Sequence, residues 1–225
     1  MESQDRLVLV TGGARSGKST FAERLAARLA QGDSARHQEW DEPRSVVYLA
    51  TLEANDAEMA ARVVAHRAIR PREWTTVECP VDVAAVLRGR KGREASPVYL
   101  LDCVTFWVSN LIFADGDLGG TDPGSDFNYD KSLLTADQEQ AAAGRVQRAV
   151  DELLAALAQA DATLIAVSNE VGLGVVPEYP LARLYRDQLG WVNQRLASVA
   201  DQAYFLVAGL PLDLKSLSAS SVSMF

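Results

Sequence analysis

The sequence has few of the residues that bind metals or form covalent cross-links. Among its 225 residues, two are cysteine and two are histidine. Cys79 and Cys103 lie in or beside apolar segments and form no CxxC pair, so we expect free thiols and no zinc site. Free thiols are typical of a protein in a reducing cytoplasm.

The sequence also lacks long apolar runs and an excess of basic charge. The first apolar run, 7–10, is too short for a signal peptide, and no run reaches the roughly 18 residues that a membrane span requires. The 22 Lys and Arg residues are outnumbered by 30 Asp and Glu residues, which gives a net charge of −8. Because an acidic surface repels nucleic-acid phosphates, we expect no nucleic-acid partner. The lack of a long apolar run predicts no membrane span, and we expect a cytoplasmic protein.

Short apolar runs instead alternate with longer amphipathic segments. The apolar runs predict strands at 7–11, 46–51, 74–78, 97–102, 163–168 and 202–207. The amphipathic segments predict helices at 18–30, 56–68, 81–87, from 104 onward, and at 136–159 and 180–200. This order predicts an α/β fold, with a mainly parallel sheet and helices on both faces. We expect residues 1–225 to form a single domain, with loop insertions at 32–45 and 115–135 and a loose tail at 216–225.

The strongest motif is Gly12-Gly13-Ala14-Arg15-Ser16-Gly17-Lys18-Ser19, which matches G-x-x-x-x-G-K-[ST] between a predicted strand and a predicted helix. The glycines let several backbone N–H groups point at one anion, and the helix N-terminus adds positive potential. Lys18 would bind the β- and γ-phosphates of a nucleoside triphosphate, and Ser19 would bind Mg²⁺. The alternative is a glycine-rich turn without a ligand.

Asp102 is the last residue of a predicted buried strand. The carboxyl ends of parallel strands form the ligand crevice of such sheets, so Asp102 is predicted to lie near the same Mg²⁺. Asp is also a favoured N-cap, and a helix is predicted next, so a capping role is the alternative.

One histidine lies among arginines. His66 is close to Arg62, Arg67 and Arg70 in the predicted helix 56–68 and just after it. Arginine binds phosphate through a planar fork of donors, and neighbouring cations keep the imidazole neutral. A neutral imidazole can attack phosphorus and form a covalent intermediate. A structural histidine on an amphipathic helix is the alternative.

Polar residues follow three of the predicted strands. We expect Glu53 and Glu78 to lie at the rim of the ligand crevice, where a carboxylate would accept hydrogen bonds from the N1–H and amino group of guanine; surface glutamates are the alternative. The segment 169–178, Asn-Glu-Val-Gly-Leu-Gly-Val-Val-Pro-Glu, predicts either a substrate-binding loop or lid, or a plain connection.

Together these blocks resemble the bifunctional adenosylcobinamide kinase / adenosylcobinamide-phosphate guanylyltransferase family of cobalamin biosynthesis. The similar blocks follow the family order and cover most of the chain: 9–19, 48–51, 58–62, 66–67, 70–71, 74, 78, 169–172, 174, 176–178, 193–197 and 200–201. The resemblance implies a RecA-like P-loop NTPase fold and a homotrimer.

The resemblance also implies two reactions. ATP or GTP would phosphorylate the hydroxyl of the aminopropanol arm of adenosylcobinamide, with Mg²⁺ as cofactor. GTP would then guanylylate His66, which occupies the position of the family's histidine, and GMP would pass to the corrinoid phosphate. Beside the P-loop, the positions where the family binds GTP are Thr51, Leu52, Glu53, Arg67, Ala68, Ile69, Arg70, Glu78 and Asp102.

The sequence departs from the family pattern in three places. Asp102 stands where the family often has glutamate, and the loops 32–45 and 115–135 look longer than usual. Two other functions fit the P-loop alone: a simple small-molecule kinase without a nucleophilic histidine, and a non-enzymatic nucleotide-gated switch.

Overall fold

The computed structural model describes residues 6–31, 44–52, 70–89, 96–116, 118 and 134–218. Within them, seven strands form one sheet in the order β3-β2-β4-β5-β1-β6-β7. The strands are β1 Leu7–Gly12, β2 Val46–Ala50, β3 Thr75–Glu78, β4 Val98–Asp102, β5 Thr163–Val167, β6 Gln202–Val207 and β7 Leu210–Asp213. All neighbouring pairs are parallel except β6 and β7. The predicted α/β fold with a mainly parallel sheet is confirmed.

Helices cover both faces of this sheet. They are α1 Lys18–Ala30, α2 Val83–Gly89, α3 Val104–Phe113, α4 Ala136–Gln159, α5 Pro180–Val199 and the short α6 Leu214–Leu217. Alternate residues of β1 belong to different cores, because Val8 and Val10 pack with α1 whereas Leu7 and Leu9 pack with α2 to α5. Burial on both faces explains why the central strands are continuous apolar runs in the sequence.

The starts of the two long helices follow simple rules. A capping box begins α4, in which the Thr135 hydroxyl accepts from the Gln138 N–H and the Gln138 side chain accepts from the Thr135 N–H. Pro180 opens α5, where a missing N–H costs no helical hydrogen bond. Both helices begin close to their predicted positions.

Two elements were not predicted. The sequence 210–213 forms the antiparallel edge strand β7, and α6 follows it. Proline has no N–H to donate to a neighbouring strand, so within sheets it is found mainly in edge strands. Pro211 interrupts the strand pattern, and β7 was therefore not predicted from the sequence.

Some predicted segments fall largely outside the described residues. They include the helix 56–68, most of the insertions 32–45 and 115–135, and residues 219–225 of the tail. Arg44, predicted to lie in a polar loop, is described and is buried, with its guanidinium donating to the Pro97 carbonyl at 3.1 Å and to Thr163 Oγ1 at 2.9 Å. No helix among the described residues is long and apolar enough to cross a membrane.

Candidate functional site

The glycine-rich motif forms a tight turn between β1 and α1. Gly12 has φ 149° and Gly17 has φ 93°, angles that glycine adopts without strain. Arg15 lies in the left-handed region at φ 56°, which is uncommon for a residue with a side chain. The first helical bond of α1 runs from the Phe21 N–H to the Gly17 carbonyl at 3.0 Å. The turn is fixed to the loop after β6, because the Gly209 N–H donates to the Ser16 carbonyl at 3.0 Å. The strand–turn–helix context that the motif requires is therefore present.

Lys18 lies inside this turn. The residue is buried, and its ammonium donates to the Gly13 carbonyl at 2.6 Å. Burial lowers its pKa, and the neighbouring Cys103 and Asp102 act in the opposite direction. The Ser16 hydroxyl is buried without a hydrogen-bond partner in the described part of the chain. A phosphate oxygen would supply an acceptor for both groups, which is what a phosphate cradle requires.

Asp102 ends β4 at the same edge of the sheet, as predicted. Its carboxylate accepts a hydrogen bond of 2.9 Å from the Tyr48 hydroxyl of β2. The N-cap of α3 is Cys103, so Asp102 does not have the capping role that was the alternative. A carboxylate held on the sheet beside a phosphate cradle is available to a cation.

Tyr48 also joins Asp102 to Arg70. The Arg70 guanidinium lies 3.3 Å from the centre of the Tyr48 ring, and it donates to Thr76 Oγ1 at 3.4 Å. Burial and the neighbouring Asp102 charge raise the pKa of the Tyr48 hydroxyl, so it stays a donor at neutral pH. Sequence reasoning missed Tyr48, although β-strand alternation puts it on the α1 face.

Thr51 was predicted to bind the nucleotide. In this structure its hydroxyl makes hydrogen bonds to the backbone of Cys103. Its Oγ1 donates to the Cys103 carbonyl at 2.7 Å and accepts from the Cys103 N–H at 2.9 Å. The Asn110 side chain donates to the Thr51 carbonyl at 2.7 Å and to the Pro80 carbonyl at 2.9 Å. These bonds fix the ends of β2 and β4 relative to each other. Leu52, also predicted to contact the nucleotide, is half-buried and follows directly.

The Asn-Glu-Val-Gly segment lies beside the glycine-rich turn, because the Glu170 N–H donates to the Gly12 carbonyl at 3.1 Å. The Glu170 carboxylate accepts from the Gly172 N–H at 2.6 Å. Farther along, the apolar side chains of Leu173 and Val175 are 83% and 95% exposed. The structure places this predicted loop at the edge of the sheet that carries Lys18 and Asp102.

Several other predicted residues stay untested by geometry. Glu53, His66, Arg67, Ala68 and Ile69 lie outside the described residues. Glu78 ends β3 with an exposed side chain, and Ser19 lies half-buried in the first turn of α1. In the described part of the chain, no group of three or more His, Cys, Asp and Glu side chains could hold a metal ion. Both cysteines are free, as expected; Cys79 is buried and Cys103 is partly exposed.

An apolar cavity lies apart from these polar groups, between α3 and the start of α5. Its volume is about 450 Å³, and its described lining is Ser109, Ile112, Phe113, Tyr179, Leu181, Ala182 and Tyr185. The Tyr185 hydroxyl donates to the Thr105 carbonyl at 3.4 Å. None of these lining residues is charged, so the cavity suits an apolar group and not a phosphate.

Comparison with known proteins agrees with this geometry. Residues 8–214 match the family model described as cobinamide kinase / cobinamide phosphate guanyltransferase. The chain belongs to this family. It is 39% identical over 207 residues to the bifunctional adenosylcobalamin biosynthesis protein CobP of Pseudomonas aeruginosa, covering 92% of this chain and 96% of that protein.

Two further relatives of the cobinamide kinase / cobinamide phosphate guanyltransferase family carry the name bifunctional adenosylcobalamin biosynthesis protein CobU. The Salmonella typhimurium protein is 38% identical over 213 residues, and the Escherichia coli protein is 38% identical over 209 residues. Each match covers 93% of this chain and 99% of the relative. The resemblance found from the sequence blocks is confirmed over nearly the whole chain, and with it the P-loop NTPase-type α/β fold.

Proposed function

We propose that this protein phosphorylates adenosylcobinamide with ATP or GTP and transfers GMP from GTP to adenosylcobinamide phosphate, giving adenosylcobinamide-GDP. The observation that carries the proposal is the buried residue Lys18 and the Asp102 carboxylate at one sheet edge, in a chain that matches this family over residues 8–214. A cation and an acid at the mouth of a glycine-rich turn are what phosphoryl transfer requires.

In the kinase step, the residues act mainly by position and charge. Lys18 draws the β- and γ-phosphates into the turn, with the backbone N–H groups of residues 13–18 around them. The Ser19 hydroxyl and the Asp102 carboxylate are oxygen donors of the kind that Mg²⁺ prefers. Because substrate phosphates and water complete its coordination, Mg²⁺ needs few protein ligands, and the pair Ser19 and Asp102 fits it. Bound Mg²⁺ would neutralise charge on the phosphates.

In the guanylyl-transfer step, His66 supplies the nucleophile. Its imidazole nitrogen forms a bond to the α-phosphorus of GTP, and the bond from that phosphorus to the bridging oxygen of pyrophosphate breaks. The corrinoid phosphate oxygen then attacks the same phosphorus and releases His66. Thr51, Leu52, Glu53, Arg67, Ala68, Ile69, Arg70 and Glu78 are proposed to hold the GTP. Arg70 supports this assignment, because its guanidinium is already oriented by the Tyr48 ring.

The test of the covalent step is a labelling experiment with GTP and Mg²⁺. Label on the α-phosphate should remain on the peptide that contains His66 after denaturation, and label on the γ-phosphate should not. The bond should break in acid and survive base, as a phosphoramidate does. His66→Ala should abolish labelling, and His37→Ala is the matched control, since the chain has only these two histidines. Labelling that survives His66→Ala would refute the assignment.

The kinase step needs its own test. Transfer of γ-label to adenosylcobinamide should be seen with the wild-type chain and lost in Lys18→Ala. If His66→Ala keeps full kinase activity and no α-label is ever found on wild-type protein, the chain is a simple P-loop kinase.

We also propose that the protein works in the cytoplasm as a homotrimer. Its two free thiols fit a reducing compartment. A self-association surface is supported by exposed apolar side chains at the β7 edge, where Leu210, Leu212 and Leu217 are 68%, 45% and 67% exposed.

A further inference from the structure

The end of β5 lies between the glycine-rich turn and Asp102. In the sheet, Val167 is paired with Val10 of β1 on one side and with Asp102 of β4 on the other. The chain that leaves β5 therefore enters the space between the turn that holds Lys18 and the Asp102 carboxylate. The residues in this position are Ser168 and Asn169.

The extended course of β5 continues past its last paired residue. The Ser168 N–H donates to the Val10 carbonyl at 2.9 Å, and the Glu170 N–H donates to the Gly12 carbonyl at 3.1 Å. Bonds from every second residue are those of a parallel ladder, so side chains keep alternating between the faces.

The alternation separates Ser168 from Asn169. The Ser168 hydroxyl is buried toward α5, where it donates to Asn193 Oδ1 at 2.6 Å. Asn169 is therefore on the other face, shared by Val167, Tyr48 and the helix α1 that begins with Lys18. This is the face from which Tyr48 donates to Asp102.

The backbone of Asn169 is held on both sides. Its N–H donates to Thr105 Oγ1 at 3.0 Å, and its carbonyl accepts from Asn193 Nδ2 at 3.0 Å. The side-chain amide is half-buried, and the structure gives it no hydrogen bond to another described residue. The fixed backbone therefore places an available amide donor beside the phosphate cradle.

We infer that Asn169 is a catalytic residue of the kinase step and that its Nδ2 group donates a hydrogen bond to the terminal phosphoryl group of the bound triphosphate. This inference rests on the proposed function. In the reaction, the substrate hydroxyl oxygen forms a bond to the γ-phosphorus, and the bond to the β–γ bridging oxygen breaks. The nucleoside diphosphate leaves and the hydroxyl proton passes to water. Asn169 exchanges no proton and stabilises the charge on the transferred group.

The inference is tested with Asn169→Ala, the isosteric Asn169→Asp and the control Gln147→Ala on the exposed surface of α4. Removing one such donor should lower kcat of phosphoryl transfer by roughly 100-fold, with the KM for adenosylcobinamide changed less than about threefold. A donor to the γ-phosphate also favours triphosphate over diphosphate. The ratio of the Kd for ADP to that for a non-hydrolysable ATP analogue, measured by calorimetry, should therefore fall by about tenfold in Asn169→Ala. Asn169→Asp should lower this Kd ratio further, because a carboxylate repels the phosphate. Gln147→Ala should change neither kcat nor the Kd ratio.

Two outcomes would overturn the inference. One is a wild-type kcat in Asn169→Ala. The other is an equal loss of affinity for ADP and for the ATP analogue, which would mean that the residue acts only through its backbone. A wild-type chain without kinase activity would instead overturn the proposed function, and the two binding constants would still decide whether Asn169 contacts the terminal phosphate.

Discussion

At the scale of single residues, the burial of Lys18 changes the pH range over which its ammonium is charged. Burial lowers its pKa below the usual value of 10.5, so the ammonium loses its proton earlier than an exposed lysine as the pH rises. Only the ammonium attracts phosphate, so nucleotide affinity should fall as the pH passes the lowered pKa. Without nucleotide, the free energy of unfolding should rise with pH, because the cost of burying the charged ammonium disappears between the lowered pKa and 10.5.

Calorimetric titration of nucleotide between neutral and alkaline pH measures this effect. Lys18→Arg is the control, since a guanidinium keeps its charge throughout that range. An equally steep loss of affinity in Lys18→Arg would assign the titration to another group.

The two thiols should be slow to react in the native state. Burial is the main reason that the pKa of Cys79 and of Cys103 rises to about 11, with Asp82 and Asp102 adding to it respectively. At pH 8 roughly one thiol in a thousand is then a thiolate, against about one in four for an unperturbed cysteine. We expect modification by a disulfide reagent to be at least about 100-fold slower in the native protein than in denaturant. A fast phase that Cys79→Ser leaves intact would show that the partly exposed Cys103 is reactive.

At the scale of elements, the glycine-rich turn depends on its contact with β6. A Cβ on Gly12 would lie 2.5 Å from the Leu206 carbonyl oxygen, at a φ of +149°. Gly12→Ala should therefore lower the free energy of unfolding by about 3 kcal/mol, through strain and the clash with backbone. Gly13→Ala is the matched control, because a Cβ there meets no atom within 4 Å. Chemical denaturation of both variants measures the difference, and equal stabilities would contradict the packing described.

The same scale shows what a sequence pattern can predict. The central strands and long helices lie close to their predicted bounds, because burial on both faces leaves continuous apolar runs and α4 begins at a capping box. The edge strand β7 was missed because its four residues include a proline and have little burial. Local periodicity depends on burial, and it fails where burial is slight.

The candidate site was predicted only where one segment carries the chemistry. The glycine-rich turn and Asp102 are local signals, each at the end of an apolar strand. Tyr48 and Asp102 are 54 positions apart, and Asn169 and Asn193 are 24 apart, so their hydrogen bonds depend on the sheet order and not on spacing. The burial of Arg44 was not predicted for the same reason, because its hydrogen-bond partners come from two other parts of the chain.

At the scale of the whole molecule, the apolar surface at the β7 edge calls for a partner. Among the described residues β7 pairs only with β6, so its outer edge keeps unpaired backbone groups beside exposed leucines. A second copy of the chain packed there would remove both liabilities. We therefore expect the wild-type protein to have a mass near three copies of the 24.3 kDa chain in light scattering. Leu212→Glu should shift it toward one copy without unfolding it, since that side chain is already 45% exposed. Leu173→Glu, in the loop after β5 where that side chain is 83% exposed, should leave the mass unchanged. A folded wild-type protein that stays at one copy at high concentration would refute the oligomer, and an unchanged mass in Leu212→Glu would move the interface away from β7.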